Sequence, residues 1–202
     1  MHNETFTSDE TGPSAKLRLF SLYVDFAASA RAKWASGTIT KLVGPRWKTC
    51  CEMWNLDSVK ASQQIRKIML QEAAAADVLV IALSSLDQRE PKLMEWLNAL
   101  AGERAEHPVS RLLIGLLGDD AHEAGELGWT VKEFIGCAQR MGGDFIWHWM
   151  GQEAVNDITW LTDNVKKFLA HKQSVSDVAW LQEATTTVGQ SPEALRPAAD
   201  TG

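Results

Sequence analysis

Residues 77–85 read DVLVIALSS, an unbroken apolar run that follows an alanine-rich segment and closes on two small hydroxyl residues. Strands that are buried on both faces have this pattern, and such strands belong to parallel sheets with helices packed above and below. Four more short strand patterns alternate with helical segments around the run, at residues 17–26, 47–54, 112–117 and 145–150. The run therefore predicts the middle strand of a parallel α/β sheet.

The segments between these strands have helical spacing and recognisable ends. Gly44-Pro45, Gly102 and Gly142-Gly143 close the first, third and fourth helices. Thr130 to Glu133 has the pattern of a capping box, which predicts that the fourth helix begins there. Five strands that are each followed by a helix imply right-handed crossovers. We therefore predict a three-layer αβα fold with a five-stranded parallel sheet in the flavodoxin-like order 2-1-3-4-5.

The two ends of the chain differ in composition from this core. Residues 1–15 are polar and predict a disordered lead, and residues 184–202, rich in threonine and proline, predict a disordered tail. Between them we expect a single domain over residues 16–172 and a short extra helix over residues 173–183.

Trp160 lies off the apolar stripe of the last predicted helix, about 200° round the helix from Ile158. An indole at that place is left in water unless something covers it. We predict either that residues 173–183 fold back over it or that it belongs to an interface, because aromatic side chains are enriched in interface cores. A homodimer is compatible with the second option.

The composition excludes several classes of partner. The chain has 202 residues, 45% of them hydrophobic, and a net charge of −6, so no nucleic-acid partner is expected. Its three cysteines form neither a zinc nor a disulfide framework, and its five histidines lack partners at metal-ligand spacing, so no metal is expected. The polar, acidic N-terminus and the lack of an apolar stretch of about 20 residues predict a cytoplasmic protein without a membrane partner.

Ligands of open parallel sheets bind in a crevice beyond the carboxyl ends of the strands, where the strand order reverses. In the predicted order this crevice lies between the first and third strands. The topology places the residues that follow each strand at its rim, Phe26 and Gly118 among them. We expect seven polar or amphipathic residues there to line a ligand pocket: Asp25, Arg31, Trp54, Asp57, Ser84, Ser85 and Asp119.

The same rim lacks the residues that known chemistries require. A flavin phosphate loop needs glycine and hydroxyl residues whose N–H groups surround the anion, whereas residues 25–28 read DFAA. Neither G-x-G-x-x-G nor G-x-x-x-x-G-K-[ST] occurs in the chain. Ser84 stands where a phospho-receiver has its acceptor carboxylate, which leaves a degenerate receiver as one alternative. No cofactor is therefore predicted.

A second alternative is an enzyme. Leu83-Ser84-Ser85 followed by a helix with Glu95-Trp96-Leu97 resembles TIR domains and nucleoside deoxyribosyltransferases. That resemblance implies cleavage of a nucleotide or nucleoside N-glycosidic bond, with Glu95 as the catalytic acid. Glu95 lies about 200° round the helix from Leu93, however, which predicts a side chain that faces solvent. Glu90 is nearer the rim and is the other candidate acid.

The widest resemblance is to small bacterial flavodoxin-like proteins for which no activity is established. It rests on five segments: Tyr23-Val24-Asp25-Phe26, Arg31-Ala32-Lys33, Met53-Trp54-Asn55-Leu56-Asp57, residues 72–78 and Glu95-Trp96-Leu97. The resemblance implies the fold but transfers no reaction. We therefore predict a non-catalytic module that presents the rim to a small polar ligand or to a protein partner.

Overall fold

The computed structural model describes residues 15–44, 47–84, 91–105, 111–118, 128–150 and 158–188. At its centre lies β3 (Val78–Leu83), which is buried along its whole length. This strand pairs in parallel with β1 (Ala15–Tyr23) on one side and with β4 (Leu112–Leu117) on the other. Two further parallel strands, β2 (Trp47–Asn55) and β5 (Asp144–Trp149), form the edges. The order β2-β1-β3-β4-β5 confirms the predicted flavodoxin-like topology.

Helices cover both faces of this sheet. The described part of the chain contains α1 (Phe26–Val43), α2 (Leu56–Ala61), α3 (Gln63–Ala75), α4 (Pro91–Ala105), α5 (Gly128–Arg140) and α6 (Thr159–Val188). One face of the sheet packs against α3, α4 and α5, and the other packs against α1 and α6. The three-layer αβα architecture is therefore confirmed.

The apolar run that predicts β3 is unbroken because each face of the strand is buried in its own core. Leu79, Ile81 and Leu83 belong to the core on the α4 side, and Val78, Val80 and Ala82 belong to the core on the α1 side. Successive side chains of a strand point to opposite faces, so a strand between two helix layers needs apolar residues at every position.

Several helix ends differ from the prediction. The helix expected from Asp57 onward is two helices, because Ser62 ends α2 and caps α3 by accepting a hydrogen bond from Ile65 N–H at 3.1 Å. The prediction that the fourth helix begins at the Thr130 capping box is wrong, since α5 already begins at Gly128. Gly102 does not end α4, which continues to Ala105. The predicted ends at Gly44 and Gly142 are confirmed, and both glycines have positive φ angles, of 61° and 66°.

The C-terminal part of the described chain is one continuous helix. Residues 173–183, predicted to be a separate helix that folds back, continue α6 in the same direction, and the helix also includes residues 184–188 of the predicted tail. Fold-back over Trp160 is therefore wrong. The rest of the predicted tail, from residue 189, and residues 1–14 of the predicted lead lie outside the described residues. None of the described helices combines the length and the apolar character needed to cross a membrane.

Asp77 joins three elements at the amino edge of the sheet. Its Oδ2 accepts a hydrogen bond from Arg18 N–H in β1 at 2.8 Å, and its Oδ1 forms an ion pair with Lys172 of α6. The buried guanidinium of Arg111, next to β4, donates to Ala74 O at 3.3 Å. Burial lowers the pKa of Arg111 from its ordinary value, and the charge of Asp77 opposes that lowering.

Candidate functional site

Three side chains from separate parts of the chain meet at the carboxyl edge of β1 and β3. Asp25 follows β1, Ser84 follows β3, and Arg31 lies near the start of α1. The Ser84 hydroxyl donates a hydrogen bond to Asp25 Oδ2. One guanidinium nitrogen of Arg31 donates to Leu83 O at 3.0 Å and to Ser84 Oγ at 3.2 Å. We call Asp25, Arg31 and Ser84 the rim cluster.

The local sequence explains why these side chains reach one another. Asp25 is an N-cap residue in an extended conformation, and its Oδ1 accepts a hydrogen bond from Ala28 N–H at 2.8 Å. Ala28, Ala32 and Ala35 are completely buried against the sheet. Because alanine carries only a methyl group, α1 lies close to the strands, and Arg31 spans the short remaining distance to the end of β3.

The Asp25 carboxyl group is held in its charged form. Burial alone would raise its pKa, but hydrogen bonds from Ala28 N–H and from the Ser84 hydroxyl favour the carboxylate. The positive charge of Arg31 and a further hydrogen bond from Ala27 N–H act in the same direction. The pKa of Asp25 therefore lies below its ordinary value, and the rim carries a fixed negative charge at neutral pH.

Gly118, directly after β4, closes the floor of the rim cluster. Its N–H donates to Leu83 O at 2.9 Å. A Cβ atom at this position would lie 2.4 Å from Ser84 O and 3.0 Å from a guanidinium nitrogen of Arg31. Only glycine allows the ends of β3 and β4 to approach this closely. The topology predicts Gly118 at the rim, but the seven residues expected to line the pocket do not include it.

Phe26 is the first residue of α1 and follows Asp25 directly. Its side chain is 90% exposed, the highest value among the exposed large apolar side chains described. Burying such a ring stabilises a protein by about 2 kcal/mol, so this chain leaves an available contribution unused. The topology likewise predicts Phe26 at the rim, but it is not among the seven residues expected to line the pocket.

The remaining predicted site residues lie elsewhere or outside the described chain. Trp54 Nε1 donates to Glu72 Oε2 of α3 at 2.9 Å, and Asp57 is exposed in the first turn of α2. Glu95 is exposed on α4, as its helical position predicts, and lines a groove that includes Arg66 of α3. The others lie outside the described residues: Ser85, Glu90 and Asp119.

Trp160, the predicted interface residue, is half-buried and stacks on His148 of β5. The two ring centroids are 4.4 Å apart, with an angle of 19° between the planes. It also packs against the core on the α1 side. The stack covers part of the indole that the helical pattern left in water, and an interface at this residue stays a prediction.

Two larger grooves lie away from the rim cluster. One, of about 350 Å³, lies beside β1 and β2 and is lined by Arg18, Glu52 and Glu72 among others. The second, of about 720 Å³, runs between α1 and α6 past Trp34 and Ile158. Neither contains a residue of the rim cluster. Among the described residues there is no group of histidine, cysteine or acidic side chains that could hold a metal ion.

The charge on Asp25 gives the first testable expectation. In Asp25→Asn the cap acceptor remains and the charge is lost, so we expect a loss of about 0.3–1 kcal/mol in unfolding free energy at pH 7, the usual contribution of a negative charge at a helix N-terminus. Because the pKa of Asp25 is lower in the folded protein, its contribution is present above the unfolded pKa of about 4 and disappears as pH falls through the folded pKa. The difference between the two proteins in urea unfolding should therefore shrink as the pH falls below about 4.

Asp144→Asn is the control for this measurement. Asp144 is an exposed carboxylate at the opposite edge of the sheet, and its removal should change stability little at either pH. If wild type and Asp25→Asn differ by the same amount at pH 7 and pH 3, the charge of Asp25 is not the source of the stabilisation.

Comparison with known proteins places the fold among solved structures of low sequence identity. No family model and no curated protein matches the chain. An oxidoreductase from Corynebacterium diphtheriae is 10% identical and superposes with a TM-score of 0.60 over 78% of this chain and 99% of that one. The apo form of an NADH:FMN oxidoreductase is 14% identical, with a TM-score of 0.52 over 75% and 88% of the chains. Reduced flavodoxin from Megasphaera elsdenii is 13% identical, with a TM-score of 0.47 over 76% and 98%.

These matches correct two predictions from the sequence. The chain is predicted to be a non-catalytic module without a cofactor, and this is wrong, because the solved structures that share its fold are described as an oxidoreductase and an NADH:FMN oxidoreductase. The sequence argument considers only phosphate-binding motifs. A ligand ring is held by shape and by scattered contacts, which leave no motif to search for.

The residues at the start of α1 do not fit the phosphate group of a flavin mononucleotide. Anions bind at helix N-termini through free N–H groups. Here the N–H group of Ala28 is bonded to the Asp25 carboxylate, which itself occupies the place of an anion. The start of α1 therefore does not fit the phosphate group. This argument does not apply to the unphosphorylated part of such a ligand.

Proposed function

We propose that this chain is a redox protein that binds a flavin at the crevice beyond β1, β3 and β4, without using the N-terminus of α1 for a phosphate. The observation that carries the proposal is the position of the rim cluster. It lies at the β1–β3 boundary, where the strand order reverses and where proteins of this topology bind flavin. The likeness to an oxidoreductase and to an NADH:FMN oxidoreductase supports a redox role over other uses of the crevice.

The chain's own groups offer two kinds of contact to a flat ring with a hydroxylated side chain. Phe26 provides an exposed aromatic face. The Asp25 carboxylate accepts hydrogen bonds from one N–H group and one hydroxyl, and a carboxylate can accept about four, which leaves room for a ligand hydroxyl. Gly118 allows the ends of β3 and β4 and the Arg31 guanidinium to lie close together beside these contacts. A bound flavin would supply the electron-transfer chemistry itself.

Binding is tested by titrating riboflavin with the full chain and following the quenching of flavin fluorescence. We expect saturable quenching in wild type and about tenfold weaker binding in Phe26→Ala, because loss of one aromatic contact costs up to about 1.5 kcal/mol. Ile135→Ala is the matched control, since Ile135 is an exposed apolar residue on α5. Thermal unfolding should be nearly unchanged in both variants. Quenching that never saturates would remove the proposal.

A redox role also predicts that binding changes the midpoint potential of the flavin. A protein that uses a flavin holds its oxidised and reduced forms with different affinities, and this difference shifts the midpoint potential of the bound flavin. We expect a spectroelectrochemical titration to show a shift of at least 30 mV from free riboflavin, about tenfold in relative affinity for a two-electron couple. A bound flavin with the potential of the free one would support binding without redox function.

A further inference from the structure

The first turn of α1 is where a phosphate-ended ligand would dock in this topology. The phosphate of a bound nucleotide is held by N–H groups at the start of the helix that follows the first strand, and glycines there let the backbone approach the anion. In this chain residues 23–30 read YVDFAASA, without a glycine. Every residue of this loop therefore carries a side chain, whereas a bound phosphate requires glycines that let the backbone come close.

Two N–H groups of that turn are already used. Asp25 Oδ1 accepts from Ala28 N–H at 2.8 Å. Ser29 N–H donates to Asp25 O at 2.8 Å. An incoming anion would have to displace the Asp25 carboxylate from Ala28 N–H before it could accept a hydrogen bond there.

The charge of the rim cluster also opposes an anion. Asp25 carries the negative charge, and the nearby positive charge of Arg31 already stabilises it. The same guanidinium is fixed by its bonds to Leu83 O and Ser84 Oγ. A phosphate at this place would lie beside the Asp25 carboxylate, and the guanidinium that could attract it is already bonded to Leu83 O and Ser84 Oγ.

From these observations we infer that the crevice selects unphosphorylated flavins over their phosphate esters, and that Asp25 is the residue that sets this preference. The inference rests on the proposed function for the identity of the ring. The chemical class of the ligand is an isoalloxazine with a neutral hydroxylated side chain, one of whose hydroxyls donates to the free acceptor position of Asp25. In contrast to a phosphate loop, Asp25 excludes the charged end of the ester.

The test compares riboflavin with flavin mononucleotide in the same fluorescence titration. In wild type we expect riboflavin to bind at least tenfold more tightly. In Asp25→Ser, which keeps a hydroxyl cap for α1 but removes the charge, the preference should fall to about twofold or reverse. Asp25→Asn provides a second variant of similar size. The control is Asp163→Asn, which removes an exposed carboxylate on α6 and should leave the ratio of the two affinities unchanged.

Inorganic phosphate separates a failure of this inference from a failure of the proposed function. We expect 50 mM phosphate, against chloride of equal ionic strength, to raise the thermal midpoint of Asp25→Ser and to leave wild type unchanged. Equal binding of the two flavins by wild type, or an unchanged ratio in both Asp25 variants, would overturn the assignment to Asp25. If neither flavin binds wild type, the ligand class is overturned. The thermal midpoints in phosphate then still test whether Asp25 excludes anions. A shift confined to Asp25→Ser supports this exclusion, and equal shifts in both proteins overturn it.

Discussion

Asp77→Ala is expected to lower the unfolding free energy by about 3 kcal/mol. The carboxylate connects the Arg18 N–H of β1 with the Lys172 ammonium of α6, and it is the charge that offsets the burial of Arg111. Truncation leaves a buried cation without its counter-charge and a backbone donor without its acceptor. Breaking a buried pair by removing one partner typically costs 3–5 kcal/mol, and the partial exposure of Lys172 places this site at the lower end.

Urea unfolding measures this loss, and two variants divide it. Asp77→Asn keeps an acceptor for Arg18 N–H and loses only the charge, so it should lie between wild type and Asp77→Ala. Asp144→Ala removes an exposed carboxylate from the same edge of the sheet and should change stability by less than about 0.5 kcal/mol. A loss below about 1 kcal/mol in Asp77→Ala would show that the network contributes little.

Gly118→Ala is expected to cost about 2–3 kcal/mol and to abolish flavin binding. The added Cβ would lie 2.4 Å from Ser84 O, which is a backbone atom that cannot swing aside. The ends of β3 and β4 must separate to admit it, and overpacking of this kind typically costs 1–3 kcal/mol. The same movement displaces Ser84 and the guanidinium of Arg31, so the rim cluster changes together with stability.

Gly37→Ala and Gly102→Ala are the matched controls. Both glycines lie inside helices, and an added Cβ would meet nothing within 4 Å. Alanine has the higher helix propensity, so each control should be stabilised by up to about 1 kcal/mol. If Gly118→Ala unfolds like these controls and still binds flavin, the close approach of β3 and β4 does not shape the crevice.

The fold was predictable because every residue of its central strands is apolar, a pattern that identifies strands buried on both faces. A strand between two helix layers admits only apolar side chains, and the predicted β4, residues 112–117, has the bounds that the structure shows. The start of α5 was less predictable. Phe134 and Cys137 are buried whichever residue opens the helix, so the Thr130 motif does not decide where the first turn lies.

The rim was predictable only in part. Topology fixes which strand ends are neighbours, and it brings Asp25 and Ser84 together across β1 and β3. Trp54 follows the same rule to the end of β2, but its indole donates to Glu72 of α3, a partner that strand order does not reveal. Topology also places Gly118 and Phe26 at the rim, but their roles depend on a distance and an exposure that the residue types do not reveal.

The completely buried alanines of α1 have a consequence for ligand recognition. Alanine side chains have no alternative rotamers, so the contacts between α1 and the sheet have a single arrangement. The backbone position of Arg31 is therefore fixed. The part of the binding surface that α1 supplies is thereby preorganised, and a ligand does not need to order it. Association should then be a single bimolecular step whose rate rises linearly with ligand concentration, as expected when binding requires no conformational change.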